Sequence, residues 1–383
     1  MKISLPDAKG ILREHTLSGT PVEPVPVGTD PVRTVFSAAH VVADPLENRD
    51  PSGSVPVDWE ATMAFRRHLA GLGLGIAEAM DTAQRGMGLD WPASLELIER
   101  TGSELPRALV FNGCGTDQLD PSDARDLDDV RRAYFEQLEA VQRIGGRVIV
   151  MASRALARVA NTPDDYIKVY RDVLDACDRP AILHWLGDMF DPSLAGYWGA
   201  EECERAMDTV HAIIRENARK VDGIKLSLLD SEREILMRRR LPAGVRMYTG
   251  DDFSYPELIA GDGEGFSHAL LGIFDPLADI VGAALQRLET GDVRGFRAML
   301  DPTVSLAKVI FRAPTRHYKT GVVFLAWLNG HQDHFVMLGG AQSMRPLPYF
   351  VECFRLADGN GLLRDPDLAV HRMKTLLALH GFG

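Results

Sequence analysis

Cysteine is scarce in this sequence, with four residues in 383, set far apart and without a Cys-x-x-Cys pair. A disulfide framework and a thiolate zinc site both need closely spaced cysteines, so neither is predicted. No uninterrupted apolar run reaches the ~18 residues that a membrane-spanning helix requires. Charged Lys2, Asp7 and Lys9 stand where a secretory signal would have its apolar core. We therefore expect a cytoplasmic protein whose thiols are free.

Signatures of nucleotide binding and of serine hydrolysis are also missing. The segment Gly113-Cys-Gly115 lacks the third glycine of a dinucleotide fingerprint, and neither a GxxxxGKS/T phosphate loop nor a GxSxG nucleophile motif occurs. Acidic residues outnumber basic ones by 54 to 42, and the net charge of -12 works against attraction to nucleic acid or anionic lipid. The sequence predicts a small-molecule partner, and neither nucleic acid nor a membrane.

What the sequence does contain, between Arg33 and about Gln286, is an alternation of short apolar runs with longer amphipathic segments. Strands that are covered on both faces are nearly all apolar, and the helices between them carry apolar residues three and four apart. Eight such units predict an α/β fold, a closed (β/α)8 TIM barrel, in preference to a doubly wound open sheet. The strand candidates are Thr34–Ala39, Gly75–Ala79, Ala108–Asn112, Arg147–Met151, Ala181–His184, Gly223–Leu226, Val245–Thr249 and Gly265–Leu270.

Two further segments flank the predicted barrel, which we assign to residues 33–290. Residues 1–32 contain five prolines between Pro6 and Pro31 and predict an irregular or hairpin-like N-terminal arm. Over residues 291–383 the strand pattern stops, and amphipathic segments predict a C-terminal helical extension. Within the barrel, Asp120-Pro121 and Thr162-Pro163 predict helix starts.

The candidate site residues are the polar residues that end the apolar runs, because a TIM barrel carries its active site at the carboxyl ends of its strands. A single residue of this kind is more often a structural hydrogen-bonding group than a functional one, so the set matters more than any member. The set comprises His40, Glu78, Asp81, Asn112, His184, Lys225, Asp251, Asp252 and His268.

Lys225 stands out because the sequence has only eight lysines against 34 arginines, and this one has no charged neighbour in Gly223-Ile-Lys-Leu-Ser-Leu-Leu229. Lowering a lysine pKa from ~10.4 to ~7.5 requires about 4 kcal/mol of differential destabilisation, which an apolar barrel interior can supply. A neutral amine can attack a carbonyl, and the resulting iminium withdraws electrons from the adjacent bonds. The alternative is a structural lysine that pairs with a carboxylate of a neighbouring strand.

The sequence around this lysine resembles a known family. Val221-Asp-Gly-Ile-Lys225, Met247-Tyr-Thr-Gly-Asp-Asp252 and Gly261-Asp-Gly-Glu-Gly-Phe-Ser267 are similar, in order and spacing, to consecutive strand motifs of the dihydrodipicolinate synthase/N-acetylneuraminate lyase superfamily. The resemblance covers roughly residues 33–290. It implies a (β/α)8 barrel, Lys225 as the Schiff-base residue for a 2-keto acid, no cofactor, and a homo-oligomer.

Three departures from that family predict a divergent branch with an altered substrate. The family tyrosine at the end of the fifth barrel strand is replaced by His184-Trp185, so we expect the imidazole of His184 to relay protons. The family's carboxylate-binding Gly-Thr-Thr-Gly-Glu loop is replaced by the segment from Glu78 to Gly86. The carboxylates of that segment would repel a keto acid unless Arg85 turns inward.

A polyhydroxylated keto-sugar is therefore easier to place than a small keto acid. We predict a lyase or aldolase of carbohydrate metabolism that acts on a keto acid or keto-sugar, with Lys225 and His184 as catalytic residues. The predicted substrate contacts, whose side chains can exchange hydrogen bonds with hydroxyl groups, are Glu78, Asp81, Gln84, Asn112 and Asp252.

Two alternatives stay open at this point. A divalent metal such as Mn²⁺, Mg²⁺ or Zn²⁺ could be held by Glu78, His184 and Asp252, with Asp81 and His40 nearby, in an isomerase, epimerase or lyase. Lys225 would then be a general acid or base. The other alternative is a non-catalytic barrel that binds a metabolite, which the altered proton-relay and anion-binding positions suggest.

Overall fold

A computed structural model describes residues 1–47, 55–80 and 84–382. The chain divides into two compact units. The barrel unit comprises Arg33–Ala39 and Gly75–Leu271, and the second unit comprises Met1–Val32, His40–Leu74 and Gly272–Gly383.

Eight described strands of the barrel unit close into a parallel barrel, which confirms the predicted TIM-barrel fold. Each strand pairs with the next along the chain, and the last pairs with the first. A separate antiparallel hairpin of two strands lies in the second unit. The strands are β1 Lys2–Pro6, β2 Leu12–Thr16, β3 Val35–Ser37, β4 Gly75–Glu78, β5 Val110–Cys114, β6 Arg147–Val150, β7 Ala181–Leu186, β8 Val221–Ser227, β9 Arg246–Thr249 and β10 His268–Leu271.

Side chains from alternate positions of the barrel strands fill the interior. Phe36 of β3 packs edge-on against Phe111 of β5 and Tyr248 of β9, with ring centroids 5.5 and 5.8 Å apart. Because successive strand residues face opposite sides, this set shows which positions face inward. The interior cluster contains Phe36, Ala38, Ala77, Met80, Phe111, Ile149, Met151, Ile182, Tyr248 and Leu270.

Helices follow the strands along the chain and continue to the C-terminal end. Within the barrel unit, α2, α3, α7 and α8 pack against barrel strands. The helices are α1 Trp59–Gly71, α2 Trp91–Glu104, α3 Leu127–Arg143, α4 Arg154–Val159, α5 Pro163–Ala176, α6 Cys203–Glu216, α7 Ser231–Arg240, α8 Tyr255–Ala260, α9 Ala278–Glu289, α10 Val293–Leu300, α11 Val304–Ile310, α12 Lys319–Leu328, α13 Leu347–Gly359 and α14 Pro366–Leu379.

Of the two predicted helix starts, one is right and one is wrong. Thr162 caps α5 in a capping box with Asp165, and Pro163 is the first helical residue, as predicted. Asp120 instead forms a turn, because its carboxylate accepts hydrogen bonds from the backbone N–H and the hydroxyl of Ser122. The α3 helix begins at Leu127, where Asp126 caps the N–H groups of the first turn.

In the second unit, the predicted arm forms the β1–β2 hairpin, and a buried aspartate of α13 holds the segment that follows it. The carboxylate of Asp358 accepts hydrogen bonds from the backbone N–H groups of Ser18 and Gly19, and lies 3.0 Å from Nε2 of His15. None of the described helices combines the length and the apolar character needed to cross a membrane. The segment boundaries at residues 32 and 290 stay predictions.

Candidate functional site

The side chain of Lys225 lies inside the barrel. Lys225 is only 7% exposed, and its Nζ lies 4.0 Å from the sulfur of Met80, a member of the interior cluster. On either side, the neighbouring strands place His184 of β7 and Tyr248 of β9 directly opposite it in register. Strand β8 therefore places a buried amine inside the barrel, next to the imidazole of His184.

Gly250, the residue after β9, leaves the space that the Lys225 side chain occupies. A Cβ at position 250 would lie 2.9 Å from Cε of Lys225, 2.3 Å from Oγ of Ser227 and 2.7 Å from the carbonyl oxygen of Leu226. All three distances are shorter than van der Waals contact. The backbone N–H of Gly250 also donates to the Leu226 carbonyl at 2.9 Å, which fixes the end of β9 against β8.

We expect Gly250→Ala to destabilise the fold by about 1–3 kcal/mol, because the added methyl group must displace a backbone carbonyl and the lysine stem. Equilibrium urea unfolding measures the change. Gly263→Ala is the matched control, since a Cβ there would meet no atom within 4 Å, and it should change the unfolding free energy by less than about 0.5 kcal/mol. Equal effects of the two substitutions would contradict the close approach.

His184 is buried beside this lysine, and its imidazole is uncharged at neutral pH. Its Nε2 lies 3.3 Å from the hydroxyl oxygen of Ser227, and its Nδ1 is buried without a hydrogen-bond partner among the described residues. Burial holds the pKa of His184 well below its usual range, and the neighbouring Lys225 lowers that pKa further. A neutral imidazole in this position has a lone pair that can accept a proton.

The paired carboxylates after β9 have different surroundings. Oδ1 of Asp251 accepts hydrogen bonds from the backbone N–H groups of Phe253 and Ser254, at 2.8 and 2.9 Å, and so fixes the turn that leads into α8. Asp252 is buried, with 4% of its surface exposed. Asp251 therefore has a structural role, and the predicted substrate contact of Asp252 stays a prediction.

Glu78 and Asn112 face away from the barrel interior, and the structure corrects their predicted placement at the substrate. Each follows an inward-facing residue, Ala77 or Phe111, so strand alternation turns it outward. A Glu78 carboxylate oxygen accepts from the hydroxyl of Thr101 on α2 at 2.6 Å. The Asn112 amide donates to the backbone carbonyl of Arg147 at 3.0 Å.

The remaining predicted contacts lie in the loop after β4. Gln84 is buried, and its backbone carbonyl accepts hydrogen bonds from the N–H groups of Met87 and Leu89, both at 2.9 Å. Asp81 lies outside the described residues. Substrate contact by either residue stays a prediction.

Arg85, in the same loop, is turned inward, and all three nitrogens of its guanidinium group donate hydrogen bonds. Its guanidinium donates to the carbonyl oxygens of Ala79 and Gly113 at 2.9 and 2.7 Å, and it binds Asp117 through two bonds of 3.0 and 2.8 Å. It also donates to the side-chain oxygen of Gln137. Arg85 therefore joins the loop after β4 to the loop after β5, and its charge is neutralised by Asp117.

The predicted metal ligands do not form a metal-binding group. Within residues 1–47, 55–80 and 84–382, no three His, Cys, Asp or Glu side chains are arranged to hold an ion. Glu78 faces α2, as described above, and Nδ1 of His40 pairs instead with Asp275 at 2.8 Å. The alternative set of Glu78, His184 and Asp252 is therefore not assembled.

The site also contains residues that the sequence analysis missed. Gly250 and Ser227 border the Lys225 side chain, and Asp117 binds Arg85, which the sequence analysis had named without a partner. A glycine directly after a strand is a signal for close approach that could have identified Gly250. Nothing in the sequence indicated that Asp117 would be the partner of Arg85.

Several solved structures share this fold. Dihydrodipicolinate synthase from Cyanidioschyzon merolae with lysine bound has a TM-score of 0.63 at 15% identity, covering 87% of this chain and all of its own. A prophage protein of the dihydrodipicolinic acid synthase family from E. coli K12, in complex with pyruvate, has a TM-score of 0.62 at 14% identity over 92% and 99% of the two chains. Dihydrodipicolinate synthase from Aquifex aeolicus gives 0.59 at 15% identity over 91% and 98%.

These similarities confirm the predicted resemblance at the level of the fold. Comparison with curated proteins finds no significant match. The sequence does match, over residues 3–382, the family described as Protein of unknown function (DUF993). The chain therefore belongs to the DUF993 family, and its fold is that of the dihydrodipicolinate synthases.

Proposed function

We propose that this protein is a lyase or aldolase that forms a Schiff base between Lys225 and the carbonyl group of a keto-sugar or keto acid. The observation that carries the proposal is the amine of Lys225, buried inside the barrel and paired in register with the neutral His184. The fold shared with dihydrodipicolinate synthases, and with a prophage protein of that family solved in complex with pyruvate, supports it.

The chemistry follows from the amine. Nζ of Lys225 adds to the carbonyl carbon, and the carbinolamine formed loses its oxygen as water to give an iminium ion. The iminium accepts the electron pair of the adjacent bond, so that the bond breaks and an enamine forms. In carbon–carbon cleavage the hydroxyl on the departing carbon gives its proton to a base and the fragment leaves as an aldehyde, and in carbon–hydrogen cleavage the base takes the hydrogen as a proton. Protonation of the enamine carbon and hydrolysis of the imine then release the product and return the amine.

His184 is proposed as the proton carrier in these steps, in place of the family tyrosine. Because the imidazole is neutral, it can take a proton from a substrate hydroxyl or from the carbinolamine and return it later. Nε2 of His184 forms a hydrogen bond of 3.3 Å with the hydroxyl of Ser227, which lies on the same strand as Lys225.

A hydroxylated substrate fits the site better than a small keto acid. Arg85 was the one residue of the altered loop whose charge could hold a carboxylate, and that charge is committed to Asp117. We propose that Asp81, Gln84 and Asp252 bind substrate hydroxyl groups. A cytoplasmic location and a homo-oligomer stay predictions.

Borohydride trapping tests the proposal. The protein is incubated with pyruvate and with a panel of keto acids and keto-sugars, reduced with borohydride, and weighed intact by mass spectrometry. Reduction makes the imine a stable amine, so an adduct identifies the substrate class by its mass. Peptide mapping of the adduct should place it on Lys225.

Two results would overturn the Schiff-base proposal. If no carbonyl compound gives an adduct, and activity on any of them is lost with EDTA and restored by a divalent ion, the protein uses metal chemistry. If a compound raises the melting temperature with rising concentration but gives neither adduct nor product, the barrel is a metabolite-binding protein.

A further inference from the structure

Ser227 lies beside the two proposed catalytic residues, on the same face of β8 as Lys225. It follows Lys225 by two residues, and side chains two apart along a strand point to the same side. A Cβ at position 250 would lie 2.9 Å from Cε of Lys225 and 2.3 Å from Oγ of Ser227, so both side chains border the space over Gly250. Ser227 is buried, with 2% of its surface exposed. Its hydroxyl is therefore on the inner face of the barrel, next to the lysine stem.

This hydroxyl contacts the ring of His184. Strands β7 and β8 pair His184 with Lys225 in register, and Nε2 of His184 lies 3.3 Å from Oγ of Ser227. The other ring nitrogen, Nδ1, is buried and has no hydrogen-bond partner in the described parts of the chain. The two nitrogens of one ring therefore have different surroundings, because only Nε2 is next to a hydroxyl.

The difference between the nitrogens favours one of the two neutral forms of the imidazole. A neutral imidazole has one N–H group and one bare nitrogen. With the proton on Nδ1, a buried N–H donor would lack an acceptor, which is costly and rare in folded proteins. With the proton on Nε2, the N–H donates to Oγ of Ser227, and Nδ1 keeps an unused lone pair. The contact with Ser227 thus selects the form in which Nδ1 is the basic nitrogen.

Tyr248 does not provide a competing contact for this ring. It lies opposite Lys225 on β9, but its hydroxyl donates to the carboxylate of Asp222 at 2.8 Å. Asp222 is the second residue of β8, three positions before Lys225, so the phenol is held toward the start of that strand. The hydroxyl that meets His184 is that of Ser227.

We propose that Ser227 is a positioning residue that keeps the proton of His184 on Nε2, so that Nδ1 is the nitrogen that takes a proton from the substrate. This role rests on the proposed Schiff-base function. In carbon–carbon cleavage, the O–H bond of the substrate hydroxyl breaks and Nδ1 gains that proton, which makes the ring an imidazolium. Nδ1 later gives the proton to the enamine carbon and is bare again. The Nε2–H group stays with Ser227 throughout.

NMR of protein labelled with 15N-histidine tests the position of the proton without any substrate. Long-range 1H–15N correlation spectra at neutral pH distinguish a protonated ring nitrogen from a bare one. The sequence has 11 histidines, and the signals absent from His184→Gln identify the ring of interest. Wild type should show a protonated Nε2 and a bare Nδ1. In Ser227→Ala part of the proton should move to Nδ1, whereas Ser227→Thr, which keeps the hydroxyl, should restore the wild-type pattern.

Borohydride trapping measures the catalytic consequence. Ser227→Ala should slow the initial rate of adduct formation by about tenfold or more at a saturating concentration of the carbonyl compound, because general-base catalysis contributes about 10²–10⁴-fold. The final adduct should keep its mass and its site, since Lys225 is intact. Ser227→Thr should recover most of the rate. Ser103→Ala, on the exposed side of α2, is the control and should trap at the wild-type rate.

The two measurements separate the failures. A proton on Nδ1 in wild type overturns the positioning role, and this result needs no variant to fold. A slower Ser227→Ala with an unchanged proton position would mean that Ser227 acts on the substrate directly, which also overturns it. A moved proton with an unchanged trapping rate would show that Nδ1 of His184 is not the base. If wild type forms no adduct with any carbonyl compound, the proposed function fails, while the NMR spectra still show whether Ser227 fixes the ring proton.

Discussion

Lys225→Ala should form no borohydride adduct with any carbonyl compound that wild type traps. It should also lose at least about 1,000-fold in turnover, because covalent catalysis ends when its nucleophile is removed. Its register neighbours on the adjacent strands, the imidazole of His184 and the phenol of Tyr248, are not amines and cannot form an imine. Intact mass after reduction and a progress curve for the trapped substrate measure the two effects.

Two further variants separate the loss of the amine from damage to the interior. Lys225→Met keeps an unbranched side chain in the space beside Gly250, so it should retain the wild-type melting temperature while losing the adduct. Lys220→Ala removes a lysine five residues earlier, whose Nζ donates to the backbone carbonyls of Asp175 and Cys177. It should keep full trapping. An adduct that survives Lys225→Met, or disappears in Lys220→Ala, would show that another lysine forms the imine.

The barrel was predictable because its signal is repeated eight times. Each barrel strand is a short apolar run, and the register of one strand is fixed by its neighbours, so small errors at the ends do not accumulate. The last strand shows the size of such errors: it begins at His268, three residues after the predicted Gly265, because the segment before it forms the turn in which Ser267 bonds to Glu234. Lys225 could be identified from the sequence because a single lysine within an apolar strand is unusual.

The positions of Glu78 and Asn112 were not predictable from the sequence. A strand that is buried on both faces shows no alternation of polar and apolar residues, so the pattern does not tell which residues face inward. A shift of one position reverses the direction of every side chain. Both residues end their apolar runs, as site residues do, but they face the outer side of the barrel.

The partners of Arg85 and Glu234 were beyond sequence analysis for a different reason. Each pair joins residues that are far apart in the sequence, Arg85 with Asp117 and Glu234 with Ser267. Only the closed barrel brings these loops together, and no local pattern encodes the pairing. The sequence therefore indicated the lysine that we propose as the reacting amine, while the groups that hold the surrounding loops were found only in the structure.

Arg85→Ala should cost about 1–3 kcal/mol of unfolding free energy at neutral pH, the usual penalty for leaving buried polar groups without a partner. Arg85 is 2% exposed, and its removal leaves two backbone carbonyls without this donor and leaves the partly exposed Asp117 with Gln137 as a side-chain partner. Arg85 holds the pKa of Asp117 below its usual value, against the opposing effect of burial. The stabilisation from this pair is therefore present above about pH 4 and is lost as pH falls through the lowered pKa of Asp117.

The cost of Arg85→Ala should accordingly shrink on acidification, since protonation of Asp117 relieves the unpaired charge in the variant. Urea unfolding at pH ~7 and pH ~4 measures this difference. Arg100→Ala is the matched control, because Arg100 pairs with Glu96 on the exposed face of α2, and it should cost no more than about 0.5 kcal/mol at either pH. Adding Asp117→Ala to Arg85→Ala should recover part of the loss, because the carboxylate that has lost its cation contributes to the penalty. A pH-independent cost, unchanged by the second substitution, would mean that Arg85 stabilises the loops through its carbonyl contacts alone, and that its charge is free to meet an anionic substrate.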